Sequence, residues 1–68
     1  MHKVRVYNIM FELKNNEIRQ VGRKYSVGEF KTDAKTAMRK AEKDNKTWMK
    51  RVGKGKFFPK VVEVKELK

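Results

Sequence analysis

The chain has 68 residues, of which 40% are charged and 38% hydrophobic, and nineteen Lys and Arg against eight Asp and Glu give a formal charge of +11. That length builds one small domain, and the absence of cysteine excludes a disulfide framework or a thiolate metal site. No apolar run approaches the ~18 residues of a membrane-spanning helix and no signal-like segment opens the chain, so the expectation is a soluble, cytoplasmic domain.

High charge with low hydropathy is also the composition of a disordered chain. Seven aromatic residues, a single proline and a hydrophobic period that switches between strand and helix argue for a fold instead. Lys3 to Leu13 reads as a strand. One face carries Arg5, Tyr7, Ile9, Phe11 and Leu13, and the other carries Val4, Val6, Asn8, Met10 and Glu12. Apolar residues on both faces mark a central strand. Lys14-Asn15-Asn16-Glu17 supplies a turn, because asparagine tolerates positive φ. Ile18 to Phe30 reads as the returning strand of a hairpin over 3–30. Val21, Tyr25 and Val27 form its better face, with Gly22 and Gly28 as bulge or edge positions.

Thr32, as a hydroxyl N-cap, followed by the Asp33 carboxylate starts a helix expected over 32–52. Ala34, Ala37, Met38, Ala41, Trp48, Met49 and Val52 then form one helical stripe, with Trp48 read as core. Asn45 falls in the middle of that stripe, directly after Asp44. Either the helix is interrupted there or a buried Asn finds a partner, and the weak helix propensity of Asp and Asn favours interruption. Gly53 is a helix stop, residues 53–60 read as a basic loop, and 60–67 alternates as a third strand. The expected fold is α+β: a single domain of order β-β-α-β, with a three-stranded antiparallel sheet in the spatial order 2-1-3 and one helix packed on one face. That leaves either Val4, Val6 and Met10 or Tyr7, Ile9 and Phe11 uncovered, a patch that asks for a second copy, another protein or stacked bases.

Charge is unevenly placed. Lys46 to Lys60 contains six basic residues and no acid. Lys35, Arg39, Lys43, Lys46 and Lys50 trace a single helical ridge, which Arg51, Lys54, Lys56 and Lys60 extend. Like charges four residues apart repel by a few tenths of a kcal/mol, a cost that a bound polyanion offsets. A lysine-rich helix face is also an ordinary solvated face. The ridge, the loop and the total charge together favour a small basic protein that grips nucleic acid through phosphates. Fourteen lysines against five arginines favour point-charge contacts and weak sequence specificity. Duplex DNA is favoured over RNA, which would instead use sheet aromatics such as Tyr7 and Phe11.

In the loop, Gly53 and Gly55 allow close backbone approach to a phosphate, but the spacing is not that of a nucleotide P-loop. Phe57 and Phe58 could stack on bases, although at least one reads as the core anchor of the last strand. His2 and Ser26 have no evident catalytic partners, and the carboxylates are scattered, so neither an enzyme nor a cofactor or metal site is expected. The helix's apolar stripe is committed to the core, which argues against a membrane-surface role. The competing expectation is an interaction module, an accessory or inhibitory factor of the kind carried by mobile genetic elements. It would dock through the exposed sheet face or a strand edge, on an acidic protein or as a homodimer.

Overall fold

A computed structural model describes residues 3–51 and 56–67. The elements follow the order β1 (Lys3–Lys14), β2 (Glu17–Gln20), β3 (Tyr25–Phe30), α1 (Ala34–Arg51) and β4 (Phe57–Leu67). The α+β architecture matches the sequence reading. β1 is the central strand, paired antiparallel with β4 along one edge and with β3 and β2 in succession along the other.

The first turn follows directly from its residues. Asn15 and Asn16 sit at φ 53° and 63°, the pair of positive values that a two-residue hairpin turn needs to match the twist of its strands. The returning arm departs from the single strand expected over Ile18–Phe30. Val21 still donates its N–H to the Met10 carbonyl at 3.0 Å, after which the chain leaves the ladder and re-enters as β3. Gln20 Nε2 donates to the Gly22 carbonyl at 2.8 Å and holds the departure. The sheet therefore has four strands rather than three, with β2 and β3 standing where one long strand was expected. Gly28 is a bulge as expected. The register shifts between Val6 and Tyr7, and Gly28 adopts φ 153°, a conformation that side-chain-bearing residues rarely take.

The helix begins one residue later than the Thr32 cap implies. Asp33 is the cap: its Oδ1 accepts the Thr36 N–H at 3.1 Å and its carbonyl accepts the Ala37 N–H at 3.0 Å. The first bond satisfies an amide that a helix start leaves unpaired, and the second opens the helical ladder. Hydrogen bonds from the Thr36 side chain and then its N–H hold the Asp33 carboxyl below its ordinary range. The expected interruption at Asp44-Asn45 is absent. α1 runs unbroken to Arg51 because Asn45 Oδ1 accepts a 3.0 Å hydrogen bond from Nδ2 of buried Asn8 on β1. A tertiary contact overrides weak propensity there. The expected end at Val52 lies outside the described residues.

Val4, Val6, Ala37 and Ala41 form the buried core, flanked by Phe30, Val61 and Val64. The covered face of β1 is thus the valine face, and Tyr7, Ile9 and Phe11 face away from α1. The two buried alanines let the helix backbone lie close to the sheet, mainly over β4 and β1. Its flank toward β3 consequently stays open, and Trp48, expected in the core, is 41% exposed. It lines a groove of about 380 Å³ together with Asn8, Met10, Tyr25, Val27 and Pro59. Val21, Tyr25 and Val27, read as the better face of the returning strand, are likewise exposed. Among the described residues no helix is long and apolar enough to cross a membrane.

Candidate nucleic-acid interface

At 3.6 residues per turn, Lys35, Lys46, Arg39, Lys50 and Lys43 fall within an arc of about 80°, opposite Ala37 and Ala41. Every one of them is exposed, as are Lys40 and Arg51 at the margin. From Lys35 to Lys50 the ridge runs ~22 Å along the helix axis. Thr36 and Thr47 border this arc on one side and the exposed Glu42 on the other, about 20° from Lys35. The Thr47 hydroxyl is turned back onto the Lys43 carbonyl at 3.1 Å. The helix carboxylates Glu42 and Asp44 project along its two flanks, bordering the grooves beside β4 and β3 respectively.

Pairing separates these cations from four on the sheet side. Lys3 and Arg5 both bridge Glu29, the former at 2.8 Å. Arg19 meets Glu12 at 3.3 Å and Lys24 meets Glu63 at 2.7 Å. Held between Lys3 and Arg5, the Glu29 carboxyl is pulled down from 4.5 to about 2. Its hydrogen bond to Glu29 raises Arg5, and the bond to Glu63 raises Lys24. Among the described residues, no ion pair engages any cation of the helix ridge. On the sheet side Lys3, Arg5, Arg19 and Lys24 are matched to carboxylates, whereas Lys14, Lys60 and Lys65 have no ion pair among the described residues. The helix presents its charge to solvent.

The structure does not gather every residue of the expected site. Lys35, Arg39, Lys43, Lys46 and Lys50 form one stripe, with Arg51 at its C-terminal margin. Lys54 lies outside the described residues. The last strand begins at Phe57 rather than at Lys60, so Lys60 is a strand residue opposite Ile9, and residues 53–55 of the expected loop over 53–60 lie outside the described residues. Exposed Lys56 is tied to the sheet as well, its carbonyl accepting the Leu13 N–H at 2.7 Å. Pro59 fits inside β4 because an edge strand tolerates a residue without an N–H when that position faces away from the ladder. Neither loop phenylalanine is a core anchor. Phe57 is 47% exposed, and half-buried Phe58 lies beside Phe11 on the side away from α1.

The sequence reading missed the Phe11–Phe58 pair. Their rings stand 6.0 Å apart at 23°, brought together by the register that sets Phe11 opposite Phe58. It also missed Lys24, whose Nζ lies 5.0 Å from the Tyr7 ring centroid. The alternation Tyr7-Ile9-Phe11 was the available signal, but its partner on β4 depends on where that strand starts. No protein-family model, curated protein or solved structure matches the chain significantly.

Proposed function

We propose that the chain binds duplex nucleic acid, DNA in preference, with weak sequence specificity, through the outer face of α1. The observation that carries this reading is the row of five exposed helix cations with no ion pair among the described residues, on one ~22 Å ridge. On the sheet side, by contrast, Lys3, Arg5, Arg19 and Lys24 are matched to carboxylates. Like charges at i and i+4, as at Lys35, Arg39 and Lys43, cost the free helix a few tenths of a kcal/mol per pair. A phosphate backbone removes that cost, and each phosphate neutralised releases condensed counterions. A helix with its side chains is about 10–12 Å across, and the major groove is about 12 Å wide. Four of the five ridge cations are lysines, which meet phosphates as point charges rather than reading base edges bidentately.

Salt-dependent anisotropy with a labelled duplex tests the reading. A ridge contacting about five phosphates gives a log–log slope near −4.5. The triple substitution Arg39→Glu, Lys43→Glu, Lys50→Glu is expected to lower that slope by about three and to weaken binding ~100-fold or more. An unchanged slope in a folded triple variant would overturn the assignment.

A further inference from the structure

The sheet face turned away from α1 carries no second layer, and its chemistry points to one kind of occupant. Ile9 and Phe11 stand at i and i+2 on β1, about 6.8 Å apart along the strand. Phe58 lies across from Phe11 with its ring nearly parallel at 6.0 Å, and Lys60 lies across from Ile9. Lys24 reaches over the Tyr7 ring to Glu63, which the register sets opposite Tyr7. The centre of the face is thus a half-buried aromatic and aliphatic platform with lysines at its side and end.

We infer that this face is a second nucleic-acid site, for a single strand, whose bases stack on Phe11 and Phe58 while its backbone follows Lys60 and Lys65. The site is separate from the helix and stands whether or not the helix takes a duplex. Stacking on half-buried aromatic rings of an uncovered sheet face suits a single strand, because a base must be unpaired to offer its face. Charge complementarity selects the same occupant. Glu29 is committed to Lys3 and Arg5, and Glu63 to Lys24. Lys60 and Lys65, which share this face, have no ion pair among the described residues, so the face is net positive toward a ligand. A second copy is disfavoured, since two chains of charge +11 would meet face to face.

The test is anisotropy with labelled oligo-dT and oligo-U of about 12 nucleotides, with a duplex and poly-glutamate as comparison probes. It is run near 150 mM salt, after circular dichroism has established that each variant is folded. Phe11→Leu with Phe58→Leu keeps the apolar bulk and removes the rings. It is expected to weaken single-strand binding about tenfold or more and to leave duplex binding within twofold, while Phe11→Trp alone retains single-strand binding. Single-strand affinity unchanged by the leucine pair, or carried by the helix triple variant instead, would overturn the site. Poly-glutamate binding as tightly as the oligonucleotides, with the same loss on Phe→Leu, would overturn it in favour of an acidic protein. A wild-type dimer that the leucine pair dissociates in sedimentation would do so in favour of a second copy. The duplex arm reports on the helix alone, so failure of one site is distinguishable from failure of the other.

Discussion

The outer face of α1 and the open face of the sheet carry the same residue, lysine, in two physical states. On the sheet, Lys3 and Lys24 are held at 2.8 and 2.7 Å from carboxylates, Lys24 also rests against an aromatic ring, and only Lys60 and Lys65 of that face have no ion pair among the described residues. On the helix, Lys35, Lys43, Lys46 and Lys50 stand exposed with no ion pair among the described residues. A count of charges treats both groups alike. Only their surroundings separate cations that serve the fold from cations held free against the stability of the fold.

The largest expected effect is on binding: the helix triple variant loses ~100-fold or more of duplex affinity while retaining the fold. Equal loss on an equally charged triple variant of the sheet, Lys3→Glu, Lys24→Glu and Lys65→Glu, would erase the distinction between the faces. Next is the contact that fixes the helix to the sheet. Asn45→Leu leaves the buried Asn8 amide with no partner and is expected to cost about 1–3 kcal/mol in urea unfolding. Asn8→Leu combined with Asn45→Leu should recover most of the loss, because removing both partners avoids the unpaired amide. Recovery would establish that the loss comes from the unpaired buried amide and that the pair is not needed for a fold as such.

A smaller effect concerns pH. Bridged by Lys3 and Arg5, the Glu29 carboxyl lies near 2 in the fold against an ordinary 4.5. Its contribution is therefore complete above about 4.5 and fades as pH falls toward 2. Thermal unfolding of the wild type should weaken across that window, and Glu29→Gln should flatten the dependence. Identical acid profiles would show the bridge to be idle. The smallest effect is the most pointed. Arg39→Glu converts two repulsive i, i+4 contacts, with Lys35 and Lys43, into attractive ones worth a few tenths of a kcal/mol each. Melting should rise by a few degrees while duplex affinity falls, whereas a merely solvated helix face predicts the first change without the second.

Much of this arrangement was legible in the residues. Apolar side chains on both faces of Lys3–Leu13 marked the central strand, Asn15-Asn16 marked the turn, and Gly28 marked the bulge. The helical ridge followed from spacing alone, because 3.6-residue periodicity fixes which side chains share a face. What escaped depended on contacts between elements. Asn45 reads as a helix breaker until Asn8 is placed beneath it, and Trp48 reads as core until the helix is seen to lie over β4 rather than β3. The Phe11–Phe58 pair required the register of β4, which starts two residues before a proline that reads as its boundary. The break between β2 and β3 has no proline to announce it, and Val21 keeps its bond to Met10 even as the chain departs.

Titration of the isotopically labelled protein with a duplex and, separately, with oligo-dT, followed by amide chemical shifts near 150 mM salt, tests most directly whether the two faces do different work. The account predicts that duplex shifts residues along Lys35–Arg51 and leaves Tyr7–Phe11 and Phe58–Lys60 in place, and that oligo-dT does the reverse. One common set of shifted residues for both ligands would contradict it.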